Sequence, residues 1–311
     1  MGKTNKPLDH HNKINNDEFY TTQIDIEKEL LQYGNQLEGK NILCPCDWDY
    51  EYNLDNKYIK YKHTIDTFFK SNDILQLDLS TPPHNVNNLK SQFVYTLLSL
   101  KDKLKFKSLS ICGYNPYTAK GIRFQDIDNW QDYDVIITNP PFSYFGDFVK
   151  LLIKNKKEFI IIGPMMFMAS PYSFQCFKDD KLHLGYTFSL STLRIPDGTF
   201  LEGSCSLCRT CTWYTNLIVD KDVYIPLTEK YDKQNYPSYE NFDAIEVSKV
   251  KMIPKDYDGL MSVPITFLRQ YNKHQFSLIS MSKFLNENPY YLKENKKIYP
   301  FERIIIKKII N

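Results

Sequence analysis

Short runs that are apolar on every residue, rather than on alternate ones, constrain this chain more than any other feature. KNILCPC (40–46), SLSICGY (108–114), YDVIIT (133–138) and EFIIIG (158–163) are of this kind. SQFVYTLLSLKDKL (91–104) and SYFGDFVKLLIKN (143–155) lie among them and carry apolar residues at helical spacing. A strand that is apolar on both faces needs cover on both faces, and helices between strands supply it. The pattern predicts a parallel sheet, with ligands bound beyond the carboxyl ends of its strands.

One of those ends is unusual. YDVIIT runs into Asn139-Pro140-Pro141-Phe142 and then SYFG. Proline has no N–H to give a sheet and fixes φ, so the strand must stop there. The residue before a proline is pushed out of the helical region, which holds Asn139 in a rigid, extended turn. A bare Asn-Pro is an ordinary strand terminator. Between an apolar strand and a helix, it also suits a specific chemistry. Methylating a conjugated exocyclic amine requires drawing its nitrogen toward tetrahedral geometry. An Asn side-chain oxygen and a neighbouring main-chain carbonyl can accept its two N–H groups, and prolines preorganise that pair. Phe142 can stack on a base.

The other candidates are weaker. LCPCDWD (43–49) places Asp47 and Asp49 after a predicted strand, where a carboxylate can take an amino group or a ribose hydroxyl. The same residues equally suit a solvated acidic turn, and no glycine-rich phosphate loop accompanies them. RFQDIDNW (123–130) puts Asp126 shortly before the Asn-Pro-Pro-Phe strand, a weak signal for an adenine or ribose contact. CSLCRTC (205–211) has zinc-knuckle spacing, but three cysteines without a nearby fourth ligand make a poor tetrahedral set and read as reduced thiols. The six histidines are scattered. Lys296, Lys297, Arg303, Lys307 and Lys308 near the C-terminus read as a strand with solvated cations rather than a phosphate site.

The 311 residues are 42% hydrophobic with a net charge of +2, enough for one large or two modest domains and without a global sign of nucleic-acid binding. Seven cysteines and a polar N-terminus point to a reducing cytoplasm. The opening Met-Gly lacks the Ser or Thr a myristoylation signal needs at position 6, which is Lys6. The longest apolar run, Phe159–Ala169, is too short to span a bilayer. Residues 1–16 read as a disordered tail, Ile24–Tyr33 as a helix stopped by Gly34, and 50–90 as a patternless insertion. Beyond about residue 170 the pattern becomes irregular and suggests a loop-rich region rather than more sheet.

With these motifs placed, the sequence resembles the EcoRI-type adenine-specific DNA methyltransferases. DEFYTT (17–22) is similar to that family's N-terminal cofactor motif, ILCPCDWD stands where its first S-adenosylmethionine motif stands, and DVIITNPPFS (134–143) matches its catalytic motif. CTWYTNL (211–217) and YPSYENFDAIEVSKVKMIPKDYDGLMSVPITFL (236–268) resemble its C-terminal half. The likeness implies an α/β fold: a Rossmann-like S-adenosylmethionine-dependent methyltransferase sheet with helices on both faces, plus a loop-rich C-terminal DNA-recognition region. It divides the chain into the tail, a catalytic domain over 17–200 with the insertion, and target recognition over 201–311. The catalytic quartet holds nothing that reads neighbouring bases, and the loop-rich stretch is the remaining segment large enough apart from the insertion, so site choice is expected mainly in 200–280.

The reaction it implies is methyl transfer from S-adenosylmethionine to N6 of a flipped adenine in duplex DNA, in a restriction–modification system. Asn139, Pro140, Pro141 and Phe142 would hold the adenine. Phe19, Tyr20, Thr21, Cys44, Asp47 and Asp126 would line the cofactor site, with no metal. The implied partners are double-stranded DNA and a cognate endonuclease that forms no stable complex with this chain, itself a monomer. Methylation of another planar amine (cytosine N4, an RNA guanine or a protein glutamine) stays open on the residues alone, as does a non-catalytic specificity protein on the same scaffold. Elemental analysis of the purified protein should find zinc well below stoichiometric. Stoichiometric zinc lost on Cys208→Ser would make the CSLCRTC cysteines ligands.

Overall fold

The computed structural model describes residues 20–47, 74–80, 92–115, 120–194, 200–202, 208–219 and 224–309. The 1–16 tail, Phe19, Asp49, Cys205 and most of 50–90 lie outside them. The chain divides into two compact units, one extending to Phe167 and resuming over Leu182–Val219, the other combining Met168–Lys181 with the chain after Asp220.

The first unit runs β1 (Tyr20–Thr21), α1 (Gln23–Leu30), β2 (Asn41–Cys44), β3 (Leu75–Gln76), α2 (Phe93–Leu104) and β4 (Ser108–Ile111). A hairpin of β5 (Tyr114–Asn115) and β6 (Lys120–Gly121) follows, then β7 (Val135–Thr138), α3 (Phe145–Lys154) and β8 (Glu158–Pro164). The unit closes with β9 (His183–Leu184), β10 (Thr192–Arg194), β11 (Phe200–Glu202) and β12 (Cys211–Thr215). Seven strands form one sheet in the order β3-β4-β2-β7-β8-β12-β9. The central four, β4, β2, β7 and β8, are parallel, as their unbroken apolar character predicts. One face carries Ile42, Cys44, Leu109, Val135 and Ile160 against α1 and α2. The residues between them, such as Ile136 and Ile161, point to the other face, which α3 covers.

Two expectations need correcting. The chain beyond residue 170 does not abandon the sheet: β12 enters between β8 and β9, antiparallel to both, and all five of its residues are buried. Its threonines blur the apolar signal, yet the Thr215 hydroxyl is satisfied inside, donating to the Phe159 carbonyl at 2.7 Å and accepting from Leu217 N–H. Gly34 does not stop the first helix either. The α-helix ends at Leu30, and a 3₁₀ segment runs on to Leu37 with Gly34 at φ 47° as a kink within it.

Helix α1 buries two carboxylates. Glu29 accepts from the Tyr33 hydroxyl, from the backbone N–H groups of Tyr186 and Thr187, and from the Thr187 hydroxyl, all within 2.8 Å. Asp25 accepts from the Ser191 N–H and hydroxyl and from the Thr192 N–H. Segment 185–192 is thereby tied to α1 and leads straight into β10, which pairs antiparallel with β1 and β11.

The second unit contains α4 (Pro171–Lys178), capped by the Ser170 hydroxyl, and a four-stranded sheet of β13 (Ile245–Glu246), β14 (Met261–Pro264), β18 (Arg303–Lys308) and β15 (Phe276–Met281) in that spatial order. A separate hairpin joins β16 (Tyr291–Lys293) to β17 (Lys296–Ile298). The sheet is pinned by buried Glu246, which takes the Arg303 guanidinium at 2.6 Å and the Tyr239 hydroxyl. Arg303 is therefore an internal ion-pair partner rather than a solvated cation, and Lys308 pairs with Asp258 at 2.9 Å. Among the described residues no helix is long and apolar enough to cross a membrane.

Under the turn that follows β7, Phe145, Phe167 and Tyr214 pack ring to ring at 5.0–5.6 Å, and the Tyr214 hydroxyl holds the Pro164 carbonyl. A Cβ on Gly163 would stand 2.1 Å from the Phe145 ring. Gly163→Ala must displace a fully buried aromatic and should lose about 1–3 kcal/mol in urea unfolding. An unchanged midpoint would mean the ring relocates freely.

Candidate active site

The carboxyl ends of β2, β4 and β7 are stitched together by short bonds. Leaving β2, the chain passes through Cys44-Pro45-Cys46-Asp47. Cys112, just beyond β4, donates its N–H to the Cys44 carbonyl and accepts the Asp47 N–H on its own carbonyl, each at 3.1 Å. Asp47 is 2% exposed, and its carboxylate accepts the Thr138 hydroxyl at 3.0 Å. Thr138 is the last residue of β7, so this bond links the CPCD turn to the residue directly before Asn139. Two motifs ninety-one positions apart thus meet at one edge.

Asn139 is half-buried, Pro140 buried and Pro141 exposed. Pro141 begins a 3₁₀ turn through Phe142–Tyr144, with the Tyr144 N–H on the Pro141 carbonyl at 3.0 Å, and α3 starts at Phe145. The Asn-Pro-Pro-Phe segment is therefore fixed at both ends, by β7 and by a helix. Phe142 rests partly against the hydrophobic core and keeps part of its ring accessible. Tyr144 beside it is exposed.

Three thiols cluster at this edge. Burial pushes Cys44, Cys46 and Cys112 well above the ordinary thiol range, and the negative charge of Asp47 pushes them further. A bond from Thr138 acts in the opposite direction on Cys46. Among the described residues no group of His, Cys, Asp or Glu has the geometry to hold a metal.

The remaining sequence-derived residues are placed as follows. Tyr20 and Thr21 form β1, with Thr21 opposite Leu193. The Thr21 hydroxyl is buried with no hydrogen-bond partner among the described residues, so it is available to a ligand. Cys44 packs its thiol into the core beside Ile42 and Leu109. Asp126 is exposed at the end of a 3₁₀ turn (Phe124–Asp126). Cys208 and Cys211 are both buried, just before β12 and at its start.

Sequence reasoning missed Thr138, which reads as one more β-branched strand residue. It also missed Asp25 and Glu29, whose signal was two acids on the inner side of a helix (positions i and i+4). Arg123 was missed as well: its guanidinium lies 4.6 Å over the Tyr114 ring, beside the end of β4.

The profile of the adenine-specific methyltransferase EcoRI family matches residues 7–308. The type II methyltransferase M.EcoRI of Escherichia coli is 33% identical over 333 residues, covering 98% of this chain and 97% of the relative. A type II methyltransferase of Mycoplasma genitalium is 29% identical, with coverage of 94% and 90%. The type II methyltransferase M.MpnI of Mycoplasma pneumoniae is 30% identical, with coverage of 86% and 83%. No solved structure matches the chain.

The thiol cluster makes stability depend on alkaline pH. An unfolded cysteine ionises near pH ~8.5, whereas these three hold their protons well above that in the folded chain. Their contribution is complete below about pH 8.5 and falls as pH rises, because the unfolded chain then releases protons that the folded chain retains. Each thiol should add roughly 1.4 kcal/mol per pH unit to the loss. Urea unfolding between pH 7.5 and 10, compared with a triple Cys→Ala variant, measures it. Equal slopes for the two proteins would refute the cause.

Proposed function

The chain belongs to the EcoRI family of adenine-specific methyltransferases and is a type II DNA-methylating enzyme; on that premise we propose that Asn139-Pro140-Pro141-Phe142 is the element that receives the target adenine. One observation carries this assignment. The segment projects from the carboxyl end of β7, held from behind by the Thr138–Asp47 bond and ahead by α3. That is the position where a parallel sheet presents its ligands.

The chemistry follows from what these groups can accept. The Asn139 side-chain oxygen and the Pro140 carbonyl take the two N–H bonds of the adenine N6. Drawing hydrogen-bond density to both hydrogens localises the nitrogen lone pair and directs it away from the ring plane. The prolines hold the two acceptors in place, so no reorganisation is needed when charge develops. Phe142 stacks on the base and keeps it outside the duplex.

S-adenosylmethionine, when bound, supplies an electrophilic methyl group. The residues fit such a ligand: the Thr21 hydroxyl is buried with no hydrogen-bond partner among the described residues, and Asp47 puts negative charge beneath the end of β2. Phe19, Tyr20, Thr21, Cys44, Asp47 and Asp126 remain the proposed lining, Cys44 through its backbone because its thiol belongs to the core. The sheet order and the helices on both faces favour a Rossmann-like methyltransferase domain. We place that domain over 17–200 and target reading over 201–311, with duplex DNA as substrate. The enzyme acts as a cytoplasmic monomer, and a cognate endonuclease recognises the same site independently.

Asn139→Ala should leave S-adenosylmethionine affinity nearly unchanged in calorimetry while methyl transfer to duplex DNA falls about 10²–10³-fold. Near-normal turnover would remove Asn139 from the chemistry. Sequencing modified adenines in a host expressing the wild type identifies the target, and methylation confined to cytosine N4 would favour the alternative amine.

A further inference from the structure

The second unit exposes a concentrated set of large apolar side chains. Phe301 is 92% exposed, and Phe284, Leu292 and Tyr299 are exposed in the same stretch. Single exposed apolar residues are ordinary, but a cluster of them marks a contact surface. Phe301 is also rigidly mounted. It follows Pro300 and precedes Glu302, whose carboxylate accepts the Ser282 hydroxyl at 2.6 Å and the Lys283 N–H at 3.2 Å. The next residue, Arg303, gives its N–H to Ser282 and its guanidinium to buried Glu246. An aromatic ring held in water on a fixed backbone loses little conformational freedom when it meets a partner.

The charge beside it identifies the partner. Lys283, Lys293, Lys296 and Lys297 are all exposed, and among the described residues none has a carboxylate at ion-pair distance. Two of the three cations of neighbouring β18 differ: Arg303 and Lys308 are neutralised by Glu246 and Asp258, while Lys307 is exposed. Lys297 lies 4.4 Å over the Tyr290 ring, which packs on Tyr299, so a cation and two rings share one surface at the β16–β17 hairpin that also carries Lys293 and Lys296 and leads into Phe301. Acids beside it include Glu294 in the turn, Glu240, whose N–H pairs with the Tyr290 carbonyl, Glu287, which accepts from Asn241, and Glu302, already committed. A second copy of this chain would set these lysines against one another. A polyanion with stacking faces would not.

We propose that this surface binds duplex DNA, with Phe301 as an apolar wedge against a base step and Lys293, Lys296 and Lys297 on flanking phosphates. The inference rests on the reading of the chain as a DNA methyltransferase and names the part of the second unit that grips the substrate. Wedges of this kind unstack a step and let the protein hold a bent duplex.

The test uses the full chain and fluorescent duplexes containing the mapped methylation site. Phe301→Ala should weaken binding about tenfold or more, the scale of one lost aromatic stack. Lys296→Ala/Lys297→Ala should reduce the slope of log affinity against log salt by about two. Both variants should keep wild-type S-adenosylmethionine affinity and melting temperature, since the altered side chains are exposed. Wild-type affinity and salt slope in both variants, alongside an active wild-type enzyme, would overturn the surface alone. A wild type that neither binds nor methylates DNA would overturn the functional reading, and this surface with it. Gel filtration gives the remaining outcome: a wild-type dimer that Phe301→Ala converts to monomer would make the patch a self-interface and refute the proposal.

Discussion

A carboxylate survives burial only when donors surround it, and helix α1 buries two, one turn apart. Glu29 and Asp25 between them capture backbone N–H groups of Tyr186, Thr187, Ser191 and Thr192. Each would be costly if left bare, and each is saturated by a segment more than 150 residues distant in sequence. Register follows from this. Once Ser191 and Thr192 are fixed, β10 begins at a set place and β1 pairs with it, which positions Thr21 and its buried hydroxyl. A shift of segment 185–192 by one residue would strand both charges, so the chain has little freedom to misplace it.

A second tie has the same logic on a smaller scale. Asp47 is nearly inaccessible, accepts the Thr138 hydroxyl and anchors its own N–H on Cys112. Three parallel strands thereby end in a common frame. The proposed catalytic turn is rigid for reasons lying mostly behind it: a polar bond at one end, a helix at the other, and a layer of aromatic rings beneath. Its own residues, two of them prolines, supply the remainder.

The parallel core was legible because runs such as VIIT and EFIIIG are apolar on every residue, a pattern that few other arrangements explain. The Asn-Pro-Pro-Phe turn was legible because proline's consequences are local. What escaped depends on partners remote in the chain. CTWYT shows two threonines and hides its place in the sheet, since only the folded structure supplies the carbonyl that satisfies Thr215. Arg303 reads as a surface cation because Glu246, its partner, lies 57 residues upstream. Gly34 reads as a helix stop because glycine is the commonest one, yet here its positive φ serves a kink within a continuing helical segment. Thr138 carries no signal of its own.

The two units are not consecutive lengths of chain. Residues Met168–Lys181 belong with the C-terminal unit, and the chain then returns to the first unit over Leu182–Val219 before leaving it for good. During synthesis the main sheet waits for β12, so β8 emerges with an unpaired edge that must stay soluble until some fifty further residues are made. Helix α4 waits longer still for the strands it joins. Exchanging the second unit between relatives therefore cannot succeed with a single cut after residue 200, which would carry β12 away from its own sheet and leave 168–181 behind; the exchange needs both 168–181 and the chain after 220, or two half-built cores will compete for one chain.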